Sequence, residues 1–148
     1  KSYSFYVGSD IDIITDEPTE KTEYAYINLN NVSVTDEKLE LDMLATANVN
    51  GKYQRMGVAF ALSEKTADEI STAVQDIETG TGTSNKIAVH NSTVDWYNQS
   101  EQYQFRYAPY FARDKAKDAT IYFYTYVVTD DGIKVSDVAQ YNMRNLLA

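Results

Sequence analysis

His90 is the only histidine of the chain, and it stands close to Ser92 and Asp95. Those three residue types can build a nucleophilic triad, in which a base within hydrogen-bond reach takes the hydroxyl proton beside an oxyanion hole. The frame for that chemistry is missing. No Gly-x-Ser-x-Gly elbow surrounds Ser92, and His90 falls at the polar end of a strand-like stretch, so it reads as a solvent-facing histidine without a catalytic role. Asp10, Asp12, Asp16 and Glu17 form a carboxylate cluster. Calcium needs several oxygen ligands on a tightly turned loop, but Ile14 occupies the third ligand rank and no glycine follows. The cluster reads as a solvated acidic loop. A glycosidase needs two carboxylates that converge in space, and no pair here lies in an aromatic-rich setting. With no cysteine and one histidine, disulfides and thiolate sites are excluded, and no bound transition metal is expected. No catalytic residue, no metal site and no cofactor are therefore assigned.

Two aromatic stretches are better suited to binding than to catalysis. Trp96 and Tyr97, with Asn98, Gln99 and Asn91 nearby, combine flat rings with amides, which suits stacking on a sugar and hydrogen bonding to its hydroxyls. The plainer reading is a tryptophan tucked over a domain edge. Tyr122, Tyr124 and Tyr126 recur at period two and share one face of a strand. Left open, that face is an aromatic platform; covered, it is part of a core. Trp96, Tyr97, Asn98, Tyr122, Tyr124 and Tyr126 are thus the candidate ligand-binding residues. Asn31-Val-Ser33, Asn91-Ser-Thr93 and Asn98-Gln-Ser100 are glycosylation sequons, which matter only in a eukaryotic secretory setting.

The elements that position these residues are mostly strands. Leu39, Leu41, Met43, Ala45, Ala47 and Val49 alternate with polar residues, with Leu44 the one apolar residue on the wet face. Asn50-Gly51 supplies a turn with positive φ. A strand then runs over about 53–63, with Met56, Val58, Phe60 and Leu62 facing the core and small residues, Gly57, Ala59 and Ala61, facing away. The period changes once: Ala67, Ile70, Val74 and Ile77 predict an amphipathic helix over Thr66–Thr79, with a Thr66–Glu69 capping box and Gly80 as its C′ residue. Thr81–Asn85 reads as a polar loop. Strands follow at Lys86–His90 and Gln102–Tyr107, which Pro109 ends. Thr120–Thr129, an Asp131-Gly132 turn and a return over Ile133–Tyr141 make a C-terminal hairpin. Toward the N-terminus, Tyr3, Phe5 and Val7 read as a strand, Asp10–Lys21 as an acidic loop, and Tyr24–Val34 as a strand broken by Asn30-Asn31.

The 148 residues suit one domain with a real core, and a 43% hydrophobic share excludes wholesale disorder. A net charge of −9 excludes the clustered basic surface that nucleic acid requires and disfavours an anionic membrane surface. No apolar run reaches membrane-spanning length, so no membrane insertion is expected. Lys1–Val7 carries no signal-peptide pattern, which fits a mature or excised part of a longer protein. Short strands with regular turn signals predict an antiparallel β-sandwich of about seven to nine strands with one short inserted helix. Leu41, Met43, Val58, Phe60, Phe105, Phe123 and Val127 are expected between its sheets. The helix is expected to lie over the tyrosine row, because so short a helix needs a packing partner.

Thr125-Tyr126-Val127, Asp131-Gly132 and Ser136-Asp137-Val138 resemble the closing hairpin of immunoglobulin-like and fibronectin type III-like modules of bacterial surface proteins. Tyr124-Thr125 stands where those modules usually carry Arg-Ala. Leu39–Ala47 and Met56–Phe60 are similar to two of their earlier strands, so the resemblance covers roughly 38–143, and residues 1–37 fall outside it. It implies an immunoglobulin-like fold, an extracellular or cell-surface setting, and a non-catalytic spacer or interaction module whose partners are other protein domains or surface glycans. A carbohydrate-binding module using Trp96, and an enzyme domain with a convergent carboxylate pair, are the alternative readings.

Overall fold

Apolar residues at every second position of Lys38–Asn48 put Leu39, Leu41, Met43, Ala45 and Ala47 on one wholly buried face, and this strand organises half of the molecule. The computed structural model describes residues 23–92 and 102–147. The readings at Tyr3–Val7, Asp10–Lys21 and Trp96–Asn98 lie outside these residues.

Two antiparallel sheets pack face to face as a β-sandwich. The first sheet is built on β2 (Lys38–Asn48). Along one side it pairs with β1 (Tyr24–Val34), and along the other with β6 (Tyr103–Tyr107) and β7 (Tyr110–Ala112). The second sheet contains β3 (Tyr53–Ala61), β4 (Thr81–Ser84), β5 (Ile87–Asn91), β8 (Thr120–Thr129), β9 (Gly132–Val135) and β10 (Ala139–Asn142). Its order is β10-β8-β3-β5-β4, with β9 continuing the β10 side of β8. The turn at Gly51, φ +94°, passes the chain from one sheet to the other, so β2 and β3 are sequential without being paired. The main core between the sheets holds Leu41, Met43, Val58, Phe105, Phe123 and Val127, as their alternation requires.

The second sheet is buried on both faces. Its outer face carries Ala59, Ala61, Ile87, Val89, Tyr124, Tyr126 and Val128, and α1 (Ala67–Asp76) lies on it through Ile70, Ala73 and Val74. On the same face Gly57 of β3 leaves room for the Tyr126 ring, whose Oη would lie 2.4 Å from a Cβ built there. The capping box is formed: Glu69 N donates to Thr66 Oγ1 at 3.1 Å, and Thr66 N donates to Glu69 Oε1 at 2.9 Å.

Several local expectations are corrected. There are ten strands among the described residues, because the expected C-terminal return splits into β9 and β10 and because Thr81–Ser84 and, just past Pro109, Tyr110–Ala112 are strands. The four residues of Thr81–Ser84 have no apolar alternation. They are held as an edge by backbone pairing to β5 across an Asn85-Lys86 turn with φ of 51° and 65°, the left-handed pair that two-residue hairpins favour. The helix is shorter than Thr66–Thr79. It ends at Asp76, and Gly80 lies beyond its C-cap, Ile77. Ala67 is exposed, and Ala73 takes its place in the buried stripe. Two further short helices, α2 (Arg113–Ala116) and α3 (Met143–Leu147), follow β7 and β10. Asn30-Asn31 does not break β1; the extra residue is a bulge that lets the apolar face resume at Val32. Phe60 is only half-buried, and Leu62, just past the end of β3, is 72% exposed. The final hairpin turns at Asp130-Asp131 rather than Asp131-Gly132, with Thr129 paired to Gly132.

Candidate functional site

The tyrosine row is covered. Tyr126 is fully buried, Tyr124 nearly so, and Tyr122 partly. The hydroxyls of Tyr124 and Tyr126 fasten the two ends of the helix. Tyr124 Oη accepts from Lys65 N at 2.7 Å and donates to Lys65 O at 3.1 Å, just before the N-cap. Tyr126 Oη donates to Asn91 Oδ1. Asn91 Nδ2 donates to Ile77 O at 2.9 Å, and the Arg55 guanidinium donates to Val74 O at 3.2 Å. Strand side chains thus satisfy carbonyls at the helix C-terminus, where its last turn has no basic residue of its own. Burial raises the Tyr126 phenol well above its ordinary pKa. These tyrosines are architecture, not a platform. Asn91 is buried too, so its amide is not offered to a ligand. Trp96, Tyr97 and Asn98 lie outside the described residues.

His90 is not simply solvent-facing. Its ring sits at the sandwich edge, 5.0 Å from the Tyr107 centroid and 5.9 Å from that of Phe105, with Nδ1 2.9 Å from Thr81 Oγ1. Burial lowers its pKa. Asp130 and Asp131 serve their turn: Asp130 Oδ1 accepts from Lys52 N at 2.6 Å, and Thr129 Oγ1 accepts from Asp131 N at 3.1 Å. Among the described residues no group of three His, Cys, Asp or Glu is placed to hold a metal, and no helix is long and apolar enough to cross a membrane.

The His90 environment predicts a pH effect on stability. A histidine whose pKa falls on folding resists the proton that the unfolded chain accepts. Stability is therefore full above the unfolded value of 6.5 and declines as pH drops from there toward the lowered folded value. In urea melts between pH 7.5 and 5, the wild type is expected to lose stability and His90→Gln to lose measurably less. Equal slopes would remove His90 as the cause.

The accessible chemistry lies on the other outer face, that of the first sheet, which no described helix covers. Register builds it in cross-strand rows. Tyr24 and Asn48 begin it beside Gln102; Tyr26 and Gln104 follow, flanking a buried Thr46; then Asn28, Leu44 and Arg106; then Asn31 and Asp42; then Ser33, Glu40 and Tyr110. Successive rows are about 7 Å apart. Tyr24 and Tyr26 stack with centroids 6.0 Å apart, and Gln102 Nε2 donates to Tyr24 Oη. In the same row, Asn48 Oδ1 is buried with no hydrogen-bond partner among the described residues. Arg106 makes a bidentate pair with Asp42, Nε to Oδ1 at 3.1 Å and Nη2 to Oδ2 at 2.9 Å. This pairing holds the Asp42 carboxyl below its ordinary range and raises Arg106. Beside the pair is a groove of about 330 Å³ lined by Asn31, Ser33, Glu40, Asp42, Arg106 and Ala108. At the far end the Lys38 ammonium lies 4.5 Å from the Tyr110 ring centroid, and Tyr110 is 63% exposed.

Fold and face together define a helix-backed β-sandwich with one polar-aromatic sheet face left open among its described residues. No protein-family model matches the chain, and neither a curated protein nor a solved structure does.

Proposed function

We propose that this domain is a non-catalytic, immunoglobulin-like interaction module of a secreted or surface-attached bacterial protein, and that it engages its partner through the open face of the first sheet. The observation that carries this reading is the asymmetry of the sandwich. One outer face is sealed by a helix stapled at both ends, while the other presents Tyr26, Asn28, Asn31, Arg106 and Tyr110 in register. Rigid strands fix those side chains relative to one another, which lowers the ordering cost of binding. The extracellular setting rests on the resemblance of the closing hairpin and the two earlier strands.

A photo-crosslinking amino acid at Asn28, compared with one at the exposed Gln75 of α1, tests the reading in the cells that make the protein. Diazirine insertion captures protein and glycan alike. Adducts from position 28 and none from position 75 are expected. Capture from position 75 alone, or from neither, would overturn the assignment.

A further inference from the structure

We propose that the open face binds a neutral oligosaccharide, with Tyr26 and Tyr110 as stacking ends and the Arg106–Asp42 groove as the centre that reads hydroxyls. This rests on the interaction-module reading and names its ligand class. Tyr26 is 43% and Tyr110 63% exposed. They lie beside Thr46 and Glu40 of one strand, which places them about 20 Å apart along it, a span that takes several sugar rings. Exposed rings of this kind stack on the C–H face of a pyranose. Between them the face offers donors and acceptors together: the amides of Asn28, Asn31 and Gln104, the Ser33 hydroxyl and the Glu40 carboxylate. A hydroxyl, which both donates and accepts, matches such a mixed surface better than a pure acceptor or donor does.

Charge excludes the other ligand classes. The Arg106 charge is already engaged by Asp42, although the guanidinium has five N–H donors and the pair uses two. Glu40 and Asp42 stand in the groove on a chain of net charge −9, so phosphate, sulfate and polyanionic sugars are repelled. A protein interface depletes charge at its fully buried core, whereas the centre of this face is a charged pair with half-buried Leu44 and exposed Ala108 beside it.

The test is a glycan array carrying neutral and anionic glycans, probed with the wild type and with Tyr26→Ala, Arg106→Gln, Tyr110→Ala and Leu62→Ser, each first shown to be folded by its thermal melt. Leu62 is exposed outside the face and serves as the control. The expected result is binding to at least one neutral glycan, weakened tenfold or more by Tyr26→Ala and by Arg106→Gln and unchanged by Leu62→Ser. Binding to anionic glycans only, or to none, would overturn the saccharide assignment. Neutral binding that survives both face substitutions would move the site elsewhere. A silent array with position-28 crosslinks intact would sink the ligand class and leave the module reading standing; loss of those crosslinks would sink the module reading itself.

Discussion

Phe123→Ala is expected to lower the free energy of unfolding by about 3–5 kcal/mol. The side chain is fully buried between the sheets, with its ring 5.5 Å from Phe60 and 6.2 Å from Tyr141 by centroid. Truncation removes the transfer energy of the ring and leaves a cavity. The strands around it cannot close that cavity, because Phe123 is paired on one side to Phe60 and on the other to Ala139. Domains of this size have about 5–15 kcal/mol in total, so the variant should melt roughly 10 °C lower. Urea denaturation with matched m-values is the measurement. A loss below about 1 kcal/mol, far under the usual range for such a truncation, would mean that β8 presents its other face to the main core.

Gly57→Ala should come close behind, by the opposite mechanism. A Cβ built there would lie 2.2 Å from the His90 carbonyl oxygen and 2.4 Å from Tyr126 Oη. The first contact is backbone of the neighbouring strand, and the second is a buried side chain held by Asn91. Neither can withdraw without opening the β3–β5 ladder or the network that fastens the helix. Overpacking of this kind costs about 1–3 kcal/mol, and the backbone contact puts this case at the upper end. The double variant Gly57→Ala, Tyr126→Phe separates the two contacts. It removes the hydroxyl but leaves both the carbonyl and the ring carbon Cζ, which would lie 2.8 Å from the new Cβ, so it should recover little stability. Full recovery would show that the hydroxyl alone sets the cost.

The strands and helix with a regular apolar period were legible in the sequence. Lys38–Asn48 and Thr120–Thr129 alternate strictly enough to fix their faces, and Thr66 with Glu69 marks the helix start. The small residues Gly57, Ala59 and Ala61 announced a close neighbour, which at Gly57 is Tyr126 of the adjacent strand. What failed to show were elements without an apolar pattern. Thr81–Ser84 has no apolar pattern because an edge strand on the sheet margin needs none. Phe60 and Leu62 continue the apolar alternation of β3 to its end, but the sheet stops at Ala61, and the opposite layer no longer shields them fully.

The open face was legible only in fragments. Tyr26, Asn31, Asp42 and Arg106 are scattered over 81 positions, and each by itself reads as an ordinary outward residue of a half-buried strand. Only the pairing register, including the bulge between Leu29 and Asn31, sets them side by side. The tyrosines at period two drew attention instead, because aromatic residues on one strand are visible without knowing any register. Their partners on the helix turned them into core.

The pairing pattern also sets how the domain would carry a pulling force. The described chain enters at Tyr24, beside Asn48, and leaves through Met143 at the opposite end, where Met143 N bonds Ala119 O and Arg144 pairs with Asp118. Tension between these points runs along the strands, so β1 against β2 and β10 against β8 are loaded in shear, and many ladder bonds must fail together rather than one after another. The two ladders are unequal. β1 is paired from Tyr24 to Val34, whereas β10 is paired only from Ala139 to Asn142. Forced unfolding follows the rate of the first rupture, so the C-terminal strand is the mechanical fuse. Its few ladder bonds would give way together and release α3 while the N-terminal ladder, and the open face built on it, stayed intact.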